Sequence, residues 1–440
     1  MNEKIVIIGN GFDLRHCLPT GYNHLMSVLE EIENYSFENE NILIFSDLFD
    51  NIFKTNNKVF YEHILEYYDA EKKINFDAEK LFGIKERIKK NQWFQYFKSV
   101  GKNKIETWID FETEVNRVLD LVTNFNLNYK DYIVVDPDSG LPRVDYYKGE
   151  NQLKFNILKN FGFLIDLFDD LNPGINLDNL IISSEFGLKI NGILQYIKEK
   201  EFYDHLYKQL ENFIGIFNDY IIYVINPFYV AFKNHKEENF IKKNGIFLFD
   251  KVHRVLSFNY TDTYMKFYKE GERNKFLKND ISTKYDFIHG MSKSDWNKLE
   301  DLKIVLGVSD ITDNLKKHKL FQFTKYFQKL HKETDYMFLN EMVKNVKRNN
   351  NISKDIYNNT FYFWGHSLDS SDSDYIKEVF FIVENTESTI CIFYHSISGK
   401  ADQLKNLLDI IHKDKIEYLM KEKKLIFSES TFKNLYKELS

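Results

Sequence analysis

The chain has 440 residues, a formal net charge of −7 and 43% hydrophobic residues, enough for two or three domains or for one large domain with an insertion. The mildly acidic balance argues against a dedicated nucleic-acid binder, which normally presents a basic surface. With two cysteines, no apolar run of membrane-span length and no signal-peptide layout in Met1-Asn2-Glu3-Lys4, the expected location is a reducing cytoplasm.

Residues 4–9, KIVIIG, predict a short buried strand, because a compact apolar run ending at glycine suits a parallel strand covered on both faces. Gly9-Asn10-Gly11-Phe12-Asp13 follows, and then 21–33 carries Tyr22, Leu25, Met26 and Leu29 at helical spacing, with Thr20 as N-cap. A glycine turn lets the backbone approach a ligand closely, and the next helix offers N–H groups suited to a phosphate. G-N-G-F-D is not the full G-x-G-x-x-G, so a tight turn without ligand stands beside that reading.

From about 40 to 240 the pattern becomes amphipathic and helical, as in 63–68, 108–122 and 202–225, with a turn at 136–143. Strand character returns at 252–258, 284–289, 303–308, 359–364 and 389–394, with a helical stretch at 312–347. The expected fold class is α/β, a mostly parallel Rossmann-like sheet built from 1–60 and 245–440, with 61–244 as a large helical insertion.

Polar loops follow the predicted strands. SFNYTDTY, 257–264, carries Asn259 and Asp262, and FIHG, 287–290, carries His289, a candidate general base. GHSLDSSDSDY, 365–375, carries Gly365, His366, Ser367, Asp369, Asp372 and Asp374. Singly, each reads as a helix cap or a structural histidine. Together they would gather at the carboxyl end of the sheet, where open α/β sheets bind ligands. No zinc spacing and no Walker A occur, and GHSLD lacks the last glycine of a nucleophile elbow. The lysine-rich stripe 315–332, which includes Lys325, reads as a solvated helix face.

IIGNGFDLRHCLPTGY (7–22), LSFNYTDTY (256–264), IHG (288–290) and GHSLDSSDSDY (365–375) resemble the bacteriophage abortive-infection family AbiH. That resemblance implies a bacterial, cytoplasmic role in phage defence. The order of motifs is also similar to the sirtuin-like (SIR2) fold, which implies NAD as substrate. On that resemblance Gly9, Asn10, Gly11 and Asp13 line the pyrophosphate and ribose, and Gly365 and Ser367 face the adenosine half. Asn259 holds the nicotinamide ribose and the attacking water, His289 is the base, and Asp13 or Asp262 stabilises positive charge on the ribose. Sirtuin loops usually carry serine where Asp13 stands, and Thr261 occupies the place of their aspartate. Four-cysteine zinc binding is impossible with two cysteines, so no metal is expected. The implied function is NAD hydrolysis, with the helical insertion sensing a phage-derived trigger or joining copies of the chain. The alternatives are a nucleotide-sensing or partner-binding scaffold without turnover and, through Asp369, Asp372 and Asp374, a nuclease.

Overall fold

The computed structural model describes residues 3–38, 40–101, 105–135, 142–144, 152–166, 180–190, 193–233, 252–268, 283–334, 339–348 and 357–439. Six strands form one sheet: β1 (Lys4–Ile8), β2 (Val252–Ser257), β3 (Lys284–Phe287), β4 (Thr360–Trp364), β5 (Thr389–Tyr394) and β6 (Leu425–Glu429). Their order is β3-β2-β1-β4-β5-β6, and every neighbouring pair is parallel. This is the doubly wound order of Rossmann folds, with the winding reversing between β1 and β4.

The apolar run of β1 follows from that central place. Ile5 and Ile7 enter one core with Phe361, Phe363, Ile390 and Ile392, while Val6 and Ile8 enter the opposite core with Tyr362, Trp364 and Phe393. Alternate side chains point to opposite faces, so a strand buried on both must be apolar throughout. Short helices α1 (Asn10–Arg15) and α3 (Thr263–Tyr268) supply Phe12 and Tyr264 to the second core. Helix α2 (Tyr22–Asn34) lies between them in the chain, and its predicted stripe of Tyr22, Leu25, Met26 and Leu29 is buried. The first core is closed by α4 (Ser373–Asn385), with Ile376, Val379, Phe380 and Val383, and by Leu407 of α5 (Ile397–Ile410).

Several expectations need correction. Residues 303–308 form no strand of the sheet. Ile304 and Val305 are fully buried, which explains their apolar signal, but they lie in extended chain tied by single bonds. Val305 N–H donates to His289 O at 2.9 Å, and Tyr260 Oη donates to Val305 O at 2.9 Å. The sixth strand is β6, whose edge position and mixed exposure hid it. The N-cap of α2 is Gly21, and Thr20 Oγ1 instead donates to Asn10 Oδ1 at 2.8 Å. The stretch 312–347 is broken into short helices, including Asp313–Lys317, Lys325–His331 and Asn340–Arg348. The predicted turn lies outside the described residues at 136–141, and Pro142–Val144 is a strand.

By internal contact the chain divides into two compact units, one of 1–82, 218–306 and 329–440, the other of 83–217 and 307–328. The first holds the parallel sheet together with the helix Lys58–Tyr68, whose Tyr68 Oη donates to His16 O at 2.6 Å. The second is helical around Trp93, Phe97, Phe111 and Phe213, in ring contacts of 5.0–6.1 Å. It is not wholly helical, because Ile133–Val135, Pro142–Val144, Leu164–Asp166 and Leu180–Ile182 form an antiparallel sheet. Nor is Lys325 solvated: it is 8% exposed and its ammonium meets the Glu112 carboxylate within the second unit, while neighbouring Tyr326 faces outward. Among the described residues one helical run, Glu199–Phe232, is long and apolar enough to cross a membrane, and 72% of its most apolar window is buried.

Candidate functional site

Register fixes where the polar loops emerge. Ile8 stands level with Ser257 and Trp364, and Ser257 with Phe287, so the loops after β1, β2, β3 and β4 leave one carboxyl edge. At the reversal point the loops after β1 and β4 cross in backbone contact. Gly9 N–H donates to Trp364 O at 3.3 Å, Gly11 N–H to Gly365 O at 2.8 Å, and Phe12 N–H to Gly9 O at 2.9 Å. A Cβ on Gly365, whose φ is +68°, would lie 2.1 Å from Phe12 N, and one on Gly9 or Gly11 would press on Gly365 O at 2.8 or 2.9 Å. The glycines thus let two stretches of backbone touch. The Gly9 and Gly11 N–H groups are bonded to protein carbonyls, and α1 spans only six residues.

Asp13 points from α1 into the protein and is 1% exposed. Thr261 Oγ1 donates to Asp13 Oδ2 at 2.6 Å, Thr263 Oγ1 to Thr261 Oγ1 at 3.0 Å, and Tyr229 Oη lies 2.8 Å from Thr263 Oγ1. Burial pushes the Asp13 carboxyl up to about 6, against the lowering pull of Thr261, Thr263 and Asn259. Asn259 is 5% exposed on the loop after β2. Its amide leans on the carboxylate without closing a hydrogen bond. Asn259 Nδ2 and Asp13 Oδ1 are therefore a buried donor and a buried acceptor, each with no protein partner. Asp262 instead faces Lys266 at 3.5 Å, and Asn10 is held by Thr20.

His289, after β3, is 5% exposed, with Nε2 3.4 Å from Asp372 Oδ1. His366 Nε2 lies 3.5 Å from the other oxygen, Asp372 Oδ2. Leu368 N–H donates to His366 Nδ1 at 2.9 Å, so the neutral His366 ring carries its proton on Nε2, facing the carboxylate. Phe258 meets both imidazoles edge to face, at 5.4 and 4.6 Å between ring centroids. His366 and Asp372 were visible as polar residues of a crowded loop. Their joint contact with His289 was not, because only strand order brings 289 beside 366.

A cavity of about 750 Å³ opens on the β4–β5 side. It is bordered by Gly11 and Arg15 from α1, His24 from α2, residues 364–367, Phe393 of β5 and Gln403 of α5. Gly11, Gly365 and Ser367 are thus brought together, whereas Gly9, Asn10, Asp13, Asn259, Asp262 and His289 are not among its lining residues. His366 joins the two groups, since it borders the cavity and faces Asp372. Sequence reading missed Arg15, which lies in the 7–22 block but was given no role, and His24 and Gln403, which carry no motif. No group of three or more His, Cys, Asp or Glu able to hold a metal occurs among the described residues.

A family profile described as bacteriophage abortive infection AbiH matches residues 5–394, from the first strand to the last residue of β5. No curated protein and no solved structure matches the chain, so the sirtuin likeness rests on motif order alone. The profile covers most of the chain and takes in every loop described above, and the chain belongs to the bacteriophage abortive-infection family AbiH.

Proposed function

We propose that this AbiH protein acts in the cytoplasm as a phage-defence enzyme that binds NAD, or a related adenine dinucleotide, at the carboxyl edge and hydrolyses its nicotinamide–ribose bond. The observation that supports this reading is the unpartnered pair of Asp13 Oδ1 and Asn259 Nδ2. A water molecule or a ribose hydroxyl needs one acceptor and one donor, which is what the pair offers. Leaving each group unmet costs about 1–3 kcal/mol, so an occupant recovers that loss.

In the proposed reaction the glycosidic electron pair leaves with the ring nitrogen of nicotinamide, which departs as a neutral base. Water oxygen bonds to the ribose carbon and gives up a proton, so NAD and water yield ADP-ribose, nicotinamide and a proton. Asn259 orients water and ribose. The Asp13 carboxylate faces the positive charge that develops on the sugar. His289, oriented by Asp372, takes the proton. The trigger is a phage-derived partner acting through the second unit, because unregulated NAD loss would harm the host.

The test is nicotinamide release from NAD by purified protein, with and without phage lysate. Release is expected on challenge, and His289→Ala should slow it by about 10²–10⁴. A parent protein that binds ADP-ribose but never releases nicotinamide would replace this reading with a nucleotide-sensing scaffold.

A further inference from the structure

A row of hydroxyls leads away from Asp13 Oδ2: Thr261 Oγ1 at 2.6 Å, Thr263 Oγ1 3.0 Å from it, and Tyr229 Oη 2.8 Å beyond. All of these residues are buried, and Thr263 is fully so. Tyr229 comes from the helix Asn226–Lys233, which carries none of the loop motifs. Proton counting gives every bond its direction. A carboxylate only accepts, so Thr261 donates to Asp13. A hydroxyl has one proton, so Thr263 then donates to Thr261, and Tyr229 donates to Thr263. Every proton in the row points toward Asp13.

The reverse arrangement has no end point. A proton on Asp13 Oδ2 would turn Thr261 toward Thr263 and Thr263 toward Tyr229. The phenol would then need a new acceptor, whereas Thr263 Oγ1 is its hydrogen-bond partner among the described residues. Burial, and after it the charges of Asp13 and Asp262, raises the Tyr229 phenol well above its ordinary range, so it stays a donor. A proton on Oδ1 would leave the row intact, but Asn259 also favours the charged carboxyl. Against these neighbours stand burial, which pushes Asp13 up to about 6, and Asp262, which Lys266 meets at 3.5 Å. Tyr68, from the helix Lys58–Tyr68, spends its proton on His16 O at 2.6 Å and stands outside the row. On α1 itself, Arg15 reaches Ser430 Oγ at 3.4 Å, and burial holds the His16 imidazole down to about 3.

We infer that Tyr229 is a positioning residue: it fixes the direction of the hydroxyl row and so holds Asp13 as the carboxylate that the proposed reaction needs. The inference rests on the role of Asp13 proposed above and names the distant residue that governs its charge. Without the phenol, Thr263 is free to turn, the row can reverse, and a proton on Asp13 finds a place. Hydrogen bonds to the charged form lower a carboxyl, and bonds in a row strengthen one another. Loss of the last donor therefore raises Asp13.

Carbon NMR of the full chain, labelled at aspartate carboxyls, reads Asp13 directly, and Asp13→Asn identifies its resonance. No ligand is needed. In Tyr229→Phe the Asp13 titration is expected to move up by about half a pH unit or more. Thr263→Val should move it at least as far, and the double variant no further, because the row is already cut. Tyr68→Phe is the control. It also loses a buried phenol bond and should melt lower, with the Asp13 titration unmoved. An Asp13 titration equal in parent and Tyr229→Phe, or moved as far by Tyr68→Phe, overturns the inference. Nicotinamide release is read separately. Release without the shift would leave hydrolysis standing and remove Tyr229 from it. The shift without release would do the reverse.

Discussion

On the β1–β2 side of the carboxyl edge, Asp13 is 1% exposed and its carboxyl sits at about 6, inside a chain of hydroxyls from Thr261, Thr263 and Tyr229. On the β4–β5 side, Gln403 and His24 border about 750 Å³ of open space. One edge of one sheet thus makes two kinds of polar site. The dry side holds an ionisable group whose charge is costly, and there electrostatics act strongly. The open side is bordered by charged Arg15 and Asp402 as well as by neutral Gln403 and His24, all within reach of solvent-sized space. Gly9, Gly11 and Gly365 form the seam between them.

Breaking the seam should have the largest effect. Gly365→Ala forces a side chain into a left-handed conformation and sets its Cβ 2.1 Å from a backbone nitrogen that has nowhere to go. A loss of about 4 kcal/mol or more is expected, read as a collapse of the thermal unfolding transition. An unchanged midpoint would show that the two loops do not depend on this crossing.

Lys325→Ala sharpens the comparison from outside the edge. It removes the cation from the half-buried Glu112 carboxylate of the second unit, which still accepts from Ser309 N–H, and should cost about 3 kcal/mol. ADP-ribose binding by the folded variant should match the parent. A variant of full stability would return Lys325 to the solvated role expected from sequence.

The dry side can be isolated by pH. The Asp13 carboxyl is higher in the fold, at about 6, than in the unfolded chain, so the fold favours its protonated form. Stability linked to Asp13 is fully present below about pH 4 and is lost as pH rises through 6, a total of about 3 kcal/mol. His16 and His24 pull the other way, because burial lowers them to about 3 and 4 and their contribution is lost as pH falls below 6.5. The difference in urea midpoint between parent and Asp13→Asn cancels the histidines. The parent should lose ground to the variant between pH 4 and 7, and a flat difference would remove Asp13 from this account.

Gly83→Ala gives the smallest effect and a control for the seam. Gly83 lies in the helix Ala78–Ile88, with nothing within 4 Å of an added Cβ. A gain of about 0.5–1 kcal/mol in chemical denaturation is expected. Destabilisation would mean that glycine there has a role that its open surroundings do not reveal.

Much of the fold could be read in the chain, because β1, β4 and β5 are covered on both faces and must be apolar. The false strand at 303–308 shows the limit of that signal. Burial makes Ile304 and Val305 apolar, but burial alone does not pair a strand. Lys325 fails in the opposite direction, since one lysine of a lysine-rich stripe does not announce the Glu112 that lies more than two hundred residues away. In the site, Asn259, His289 and Gly365 could be picked out at strand ends. What the glycines do could not, because G-N-G describes equally a turn that meets a ligand and one that meets another loop. Gln403 stayed hidden in a helix, from which its amide donates to His366 O and Phe393 O on other elements.

Titration of ADP-ribose into the parent and Asn259→Ala tests most directly the claim that the Asp13–Asn259 pair takes a ligand hydroxyl. Removing the donor leaves Asp13 alone to hold that hydroxyl, so the variant should bind at least tenfold more weakly while its melting temperature without ligand stays near the parent value. Equal affinity of the two proteins for ADP-ribose, or no binding by the parent, would contradict the account.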